Sequence, residues 1–192
     1  DNEEFLRQVS KEVKFPDDDI KDDIKILERY FNEVGNCLAL AAVQLGIPKR
    51  LIYLKNTNLD MITKKDTEMT EEEKEYNECR ILINPVIIER TGLTSYWEAC
   101  ASCMDYTGLV KRPYKIVVEY FDINANKHKE VFEGFESTVL SHEMDHLDGV
   151  LHIDKAEKLL IMNQDERREF RKENPYNIIS KTGNYEELIR EK

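Results

Sequence analysis

The chain has 192 residues, 41% of them hydrophobic, so it can bury a core of its own without disulfide or metal staples. Its formal net charge of −11 argues against direct binding to nucleic acid or to an anionic membrane. No apolar run reaches the roughly 18 residues of a membrane span. Four scattered cysteines do not suggest a disulfide scaffold. We therefore expect a reducing, cytoplasmic location, and a leader trimmed before Asp1 stays open as an alternative.

The first part of the chain predicts one helix, one buried segment and one strand. Apolar residues recur at steps of three and four from Ile20 to Val34, which indicates an amphipathic helix. The apolar segment 37–44 ends on a single amide, Gln44, and 51–54 is typical of a buried strand. Residues 55–79 are crowded with charges, so we expect a solvated insertion with a short helix beginning near Thr70.

The second part predicts short strands followed by the longest helix. Residues 81–83 and 86–88 indicate two strands separated at Asn84-Pro85, and a turn is expected at Gly92. Residues 116–121 and 128–132 indicate a hairpin. Residues 163–192 are a charged C-terminal extension, with a helix over 165–172 and a last helical turn over 186–190. This order favours one α+β domain over 1–192, with antiparallel strands around the late helix.

The late helix carries the sequence H-E-x-x-H and is closed by Gly149. At about 100° per residue, His142 and His146 lie nearly above one another, with Glu143 in the same sector. Two imidazoles at this spacing can bind one zinc or iron(II) ion, and a carboxylate that is not a ligand can transfer protons. We therefore predict that this helix binds a metal.

Three sets of residues could complete such a site. Cys100 and Cys103 together would make a closed Cys₂His₂ zinc site, as in a non-catalytic, metal-stabilised binding module. Cys100 alone would leave one position open for water, beside the carboxylate of the helix, and Cys103 would then be a small core residue. His152 would instead complete the H-E-x-x-H-x-x-G-x-x-H spacing of metzincin peptidases, for whose Met-turn only Met162 is available.

Three separated stretches resemble the motifs of peptide deformylases, metalloenzymes that remove the formyl group from N-formylmethionine at the start of new polypeptides. G-x-G-L-A-A-x-Q corresponds to Cys37 through Gln44, E-G-C-L-S to Glu98 through Ser102, and Q-H-E-x-D-H-L to Ser141 through Leu147. The likeness covers roughly residues 20 to 155. It implies a small α+β domain with antiparallel strands around the metal-bearing helix, and N-formylmethionyl peptides or nascent chains as partners.

The resemblance also implies a role for each matching residue. The metal ligands would be Cys100, His142 and His146, with iron(II) as the native ion and zinc, nickel or cobalt as replacements. Glu143 would be the general base, and Gln44 and the backbone N–H of Ala101 would stabilise the oxyanion. Arg112 would hold Glu98 beside the ligands. The pocket for the methionine side chain would be lined by Leu38, Ala39, Phe135, Thr138 and Val139.

The motifs differ from the family pattern around the substrate. Cys37 and Ala39 replace two glycines of the first motif, and three further replacements follow at Ala99, Ala101 and Ser141. Added Cβ atoms at 39 and 99 matter wherever a substrate backbone approaches closely. A divergent paralogue with a different acyl or peptide substrate is therefore an alternative to the formylmethionine enzyme.

Overall fold

The computed structural model describes residues 3–34, 37–55, 79–103 and 105–190, and the strands in this part of the chain form one antiparallel sheet. Its eight strands are β1 (Ala39–Ala41), β2 (Leu51–Lys55), β3 (Cys79–Glu98), β4 (Tyr106–Arg112), β5 (Lys115–Phe121), β6 (Lys127–Glu133), β7 (Lys158–Ile161) and β8 (Asn177–Asn184). The main path runs β1-β2-β3-β4-β7, while β5 and β8 also pair with β3, and β6 pairs with β5.

Six α-helices and two 3₁₀ turns connect these strands within the described residues. The helices are α1 (Glu3–Leu6), α2 (Ile20–Val34), α3 (Phe135–Leu147), α4 (His152–Lys155), α5 (Gln164–Glu173) and α6 (Tyr185–Leu188). The 3₁₀ turns are Ala42–Leu45 and Ala101–Cys103. The predicted α+β class and the predicted α2 helix are confirmed, and no helix here is long and apolar enough to cross a membrane.

The long strand β3 organises the sheet, and it corrects two sequence predictions. The expected break at Asn84-Pro85 and the expected turn at Gly92 both lie inside this one strand. Asn84 has a φ of 51°, and the pairing register shifts between Ile83 and Val86. At this point β3 stops pairing with β2 and continues along β5. The irregular residues therefore mark a change of partner rather than the end of a strand.

Helix α3 packs against β1 and β2 and is buried along most of its length. Its apolar residues Phe135, Val139 and Leu140 belong to the main hydrophobic cluster, together with residues of β1, β2, β3, β5 and β6. The helix ends in a Schellman-type closure, in which Gly149 N–H donates to His146 C=O at 3.2 Å and Val150 N–H to Asp145 C=O at 2.9 Å. The H-E-x-x-H sequence thus lies on an ordered helix facing the sheet.

The remaining predictions had mixed outcomes. The hairpin predicted over 116–132 is formed by β5 and β6, and the predicted helix over 165–172 is α5. The last helical turn, predicted over 186–190, begins one residue earlier and ends two residues earlier, at Tyr185–Leu188. Strands β7 and β8 were not predicted from the sequence. The predicted insertion 55–79 and its helix near Thr70 lie almost wholly outside the described residues.

The closure of α3 gives a stability prediction. Gly149 has a φ of +72°, and a Cβ there would overlap the backbone carbonyl of Arg7. Gly46 has a φ of +85°, but a Cβ there would have no atom within 4 Å. Either change to Ala is expected to lower the free energy of unfolding by about 1–2 kcal/mol, because Ala disfavours the left-handed backbone. Only G149A should lose a further 1–3 kcal/mol, roughly, because its Cβ overlaps the neighbouring backbone. Urea unfolding of the two variants checks this, and equal losses would contradict the close contact.

Candidate metal centre

Three side chains converge where the end of β3 meets α3. The sulfur of Cys100 and one nitrogen each of His142 and His146 lie within 4.8 Å of one another. Cys100 Sγ is 3.2 Å from His146 Nε2. Tetrahedral ligands bonded to an ion at roughly 2.0–2.3 Å lie about 3.5 Å apart. The three donors therefore fit one divalent ion, and their softness suits zinc or iron(II).

The other two candidate ligands do not belong to this group. Within the described residues, the cluster comprises Cys100, His142 and His146, without Cys103 or His152. Cys103 is half-buried in the adjacent 3₁₀ turn. The ring of His152 is buried and stacks on that of His142, with 5.7 Å between centroids. The ring of His152 therefore supports the ring of His142 from the side.

A buried chain of charges fixes the orientation of His142. Glu98 Oε2 is 2.8 Å from His142 Nδ1, and Arg112 donates to both oxygens of Glu98 at 2.8 and 2.9 Å. Arg112 also donates to Asp145, on the same helix as the histidines. Burial alone would raise the pKa of Glu98, but the charge and hydrogen bonds of Arg112 hold that pKa well below its usual value. An ionised Glu98 only accepts, so Nδ1–H donates to it and Nε2 of His142 faces Cys100.

The pKa values of the two imidazoles shift in opposite directions. Burial by itself lowers the pKa of His142, but hydrogen bonds to Cys100 and Glu98 outweigh it and raise that pKa well above the usual value. Burial and the neighbouring His142 lower the pKa of His146 to about 3, which keeps its imidazole neutral with a lone pair free for coordination.

Glu143 and Gln44 border the cluster. Glu143 is 6% exposed, and its Oε2 has no hydrogen-bond partner among the described residues. Burial raises the pKa of Glu143, while the charge of His142 and the backbone N–H of Ala41 oppose that rise. Gln44 Oε1 accepts from Ala41 N–H at 3.0 Å, so its Nε2 is turned toward Ser102 Oγ at 3.0 Å and Cys100 Sγ at 3.5 Å. A backbone donor therefore determines which end of the amide faces the cluster.

The structure brings most of the predicted pocket residues together. Ala39, Phe135 and Val139 belong to one hydrophobic cluster, and Leu38 packs against it. Thr138 is buried and its hydroxyl donates to Tyr176 Oη at 3.4 Å. Ala101 is exposed in its 3₁₀ turn.

Several residues that position the side chains of this site were not predicted from the sequence to belong to it. They are Ser102, which orients the Gln44 amide, Asp145, which pairs with Arg112, and Tyr96 and Tyr176, which pack against Phe135. Ser102 and Asp145 stand inside two of the quoted motifs, so their position was the available signal. Tyr176 is brought in by pairing of β8 with β3, which no local pattern indicates.

The buried charge chain predicts a large stability effect. Replacing Arg112 by Met leaves Glu98 charged and buried, which costs about 3–5 kcal/mol of unfolding free energy. The matched control is Arg29→Met, because Arg29 forms an exposed ion pair with Glu33 on α2. Denaturant unfolding of both variants is the measurement. A similar, small loss in both would mean that Arg112 does not compensate Glu98.

Comparison with known proteins identifies the family. The family model of polypeptide deformylase matches residues 1–160. A peptide deformylase of Rhizobium meliloti (strain 1021) is 39% identical over 158 residues, covering 80% of each chain. That of Pelagibacter ubique (strain HTCC1062) is 37% identical over 159 residues, covering 81% of this chain and 82% of that protein.

The solved structures that this chain resembles are also peptide deformylases. A peptide deformylase from Synechococcus elongatus, in complex with actinonin, superimposes with a TM-score of 0.66 at 32% identity and covers 88% of this chain and 82% of its own. A Plasmodium falciparum peptide deformylase in complex with an inhibitor has a TM-score of 0.62 at 30% identity, with 88% and 90% covered. The chain therefore belongs to the polypeptide deformylase family, hydrolases that remove the N-formyl group from nascent peptides.

Proposed function

We propose that this protein deformylates N-formylmethionyl peptides of nascent chains with one divalent ion held by Cys100, His142 and His146. Iron(II) is the proposed native ion, with zinc, nickel or cobalt as replacements, and the cytoplasm, where nascent chains emerge, is the proposed location. The observation that carries this proposal is the grouping of the three donor atoms within 4.8 Å beside the buried carboxylate of Glu143. The metzincin-like and non-catalytic alternatives are not favoured by the family match.

The donor set leaves room for chemistry. Three protein ligands leave a fourth position of a tetrahedral ion open, as in catalytic rather than structural sites. An ion bound by Cys100, His142 and His146 would supply Lewis-acid polarisation of water and of the formyl carbonyl. The ionised Glu98 keeps Nε2 of His142 available as a ligand to the proposed ion, because Nδ1 is engaged in a 2.8 Å hydrogen bond.

Glu143 is the proposed general base. It directly follows the ligand His142, and its Oε2 has no hydrogen-bond partner among the residues described, so it is free to accept a proton. Water adds to the formyl carbon as Glu143 takes one of its protons. Glu143 then returns that proton to the nitrogen as the C–N bond breaks. The products are formate and a peptide with a free amino terminus.

Gln44 and Ala101 are the proposed donors to the developing oxyanion. The Gln44 amide carries two hydrogens, and Ser102 Oγ accepts one of them at 3.0 Å. The second points at Cys100 Sγ over a long 3.5 Å contact and is proposed to turn to the formyl oxygen when the substrate binds, joined by the backbone N–H of Ala101 in the turn that follows the cysteine. One such preorganised donor contributes about 3 kcal/mol to transition-state stabilisation in a related setting.

The peptide itself is proposed to bind along β1. This strand lies at one end of the main strand path, pairs with β2, and has no second neighbour among the described strands. An extended peptide can add its main-chain hydrogen bonds to such an edge. The first side chain would then enter the pocket formed by Leu38, Ala39, Phe135, Thr138 and Val139. The Cβ of Ala39, where the family has glycine, would limit how closely that peptide approaches.

Metal content of cysteine variants tests the ligand set. Cys100→Ala is expected to lose the ion, since a Cys/His/His site then keeps only two donors, whereas the nearby Cys103→Ala retains it. His152→Phe is also expected to retain it, because an aromatic ring can still stack on His142. Metal analysis after anaerobic loading with iron(II) checks all three. Retention in C100A with loss in H152F would assign the third ligand to His152.

Formate release from formyl-Met-Ala-Ser tests the base. The iron(II) protein is expected to release formate, and Glu143→Gln should keep the ion while kcat falls by about 10²–10⁴-fold. The control is Glu136→Gln, on the first turn of the same helix, with a parental rate expected. A parental rate in E143Q would remove Glu143 from the mechanism. No release by the metal-loaded parent would refute the proposed substrate.

A further inference from the structure

The C-terminal extension brings two side chains to the pocket that we propose for the substrate. The family model ends at residue 160, and both Arg171 on α5 and Tyr176 before β8 lie beyond it. Strand β8 pairs with β3 through Ser95↔Asn177 and Thr94↔Ile178. One further step of this antiparallel register sets Tyr176 opposite Tyr96. The extension therefore reaches the wall of β3 that faces α3.

Three aromatic rings meet at this place. The centroids of Tyr96 and Phe135 are 5.3 Å apart, those of Phe135 and Tyr176 5.5 Å, and those of Tyr96 and Tyr176 6.0 Å. All three pairs are edge-to-face, the favourable arrangement for aromatic contacts. The Tyr176 hydroxyl also accepts from Thr138 Oγ1 at 3.4 Å. Two proposed pocket residues, Phe135 and Thr138, thus contact Tyr176 directly.

Arg171 fastens the extension at the same position. Its guanidinium lies 4.8 Å from the centroid of the Tyr96 ring and donates twice to the Trp97 carbonyl, at 3.0 and 2.6 Å. The preceding Phe170 packs edge-to-face on Trp97 with centroids 5.0 Å apart. These contacts leave little freedom for Tyr176, only five residues further along the chain.

The position along α3 places Tyr176 away from the ligands. Phe135 precedes His142 by seven residues, which is about 10 Å along a helix axis, and Val139 lies between them on the same stripe. A substrate side chain entering beside His142 would pass Val139 before it met Phe135. Tyr176 contacts Phe135 and Thr138, which precede His142 by about two turns and one turn of the helix, so it lies where the tip of that side chain would arrive.

We propose that Tyr176, in the segment that Arg171 attaches to β3, forms the end wall of the substrate side-chain pocket and limits the size of the first residue that the enzyme accepts. This rests on the proposed function, in particular on the pocket lined by Phe135, Thr138 and Val139. Tyr176 is then a specificity-determining residue contributed by the extension. Shortening it should admit longer side chains, and enlarging it should exclude methionine.

The test compares kcat/KM for formyl-Met-Ala-Ser and formyl-Phe-Ala-Ser. Because one methylene in an apolar pocket changes discrimination by roughly 10–200-fold, Tyr176→Leu should raise the Phe-to-Met ratio by at least about 10-fold. Tyr176→Phe keeps the ring and should leave the ratio at the parental value. Tyr185→Leu is the matched control, because Tyr185 lies in the same extension but bonds to the Lys111 carbonyl at 3.3 Å. An unchanged ratio in Y176L, or an equal change in Y185L, would overturn the proposal.

Two further measurements test the role of Tyr176 if the first variant does not fold or if the parent protein has no activity. If Tyr176→Leu does not fold, Tyr176→Trp tests the opposite change, a narrower pocket. The ratio of formyl-Met to formyl-Ala turnover should then fall, and an unchanged ratio would overturn the proposal. Binding of unformylated Met-Ala-Ser and Phe-Ala-Ser to the zinc-loaded protein, by calorimetry, supplies the same comparison without turnover. A parent that releases no formate would refute the proposed function, while the ratio of these binding constants would still decide the role of Tyr176.

Discussion

The ionic chain Arg112–Glu98–His142 is the interaction on which the rest of the site depends. Glu98 and Arg112 are almost completely buried, at 4% and 2% exposure, and each satisfies the other with two hydrogen bonds. Charges in such a position are tolerated only when they are paired and fully hydrogen-bonded. The chain joins the end of β3 to β4 and, through Asp145, to α3. A single network therefore holds the cysteine-bearing turn and the histidine-bearing helix at a fixed separation.

The residues of this network match the family motifs, whereas other positions in those motifs are substituted. In the proposed metal site, His142 is held from behind by Glu98, Arg112 and the stacked ring of His152. The five residues that differ from the family motifs, Cys37, Ala39, Ala99, Ala101 and Ser141, include none of these groups. Ser141 is buried, and its hydroxyl has no hydrogen-bond partner among the described residues. Divergence from the family motifs thus leaves the proposed metal ligands and the residues that hold them unchanged.

Periodicity predicted the elements whose signals are local. The spacing of Ile20, Ile24, Leu27 and Phe31 predicted α2, all four being buried, and Gly149 marked the end of α3. Asn84 and Gly92 were misleading because the chain continues through them as one strand. Asn84 keeps a left-handed backbone there while its side chain forms two 2.8 Å hydrogen bonds with the backbone of Val13. Pairing with a distant segment compensates for the local irregularity, and distant pairing is not visible in a local pattern.

The same distinction applies to the site. The histidine spacing indicated a metal from local geometry alone, but three partners for it remained open until the motif containing Cys100 was compared with a family. The contributions of Ser102, Asp145 and Tyr176 depend on tertiary contacts, and Tyr176 in particular follows from the register of β8 against β3. The strand itself is mostly polar and exposed, so its own sequence gives little indication that it joins the sheet.

One thiolate and two imidazoles are proposed to hold a divalent ion with one position open. X-ray absorption spectroscopy of the zinc-loaded protein tests this most directly, because sulfur and nitrogen ligands differ in bond length. We predict one sulfur at about 2.3 Å and three nitrogen or oxygen ligands at about 2.0–2.1 Å. Two sulfurs would show that Cys103 closes the site, and no sulfur would show that Cys100 is not a ligand. Either result would contradict a site made of Cys100, His142 and His146 with one open position.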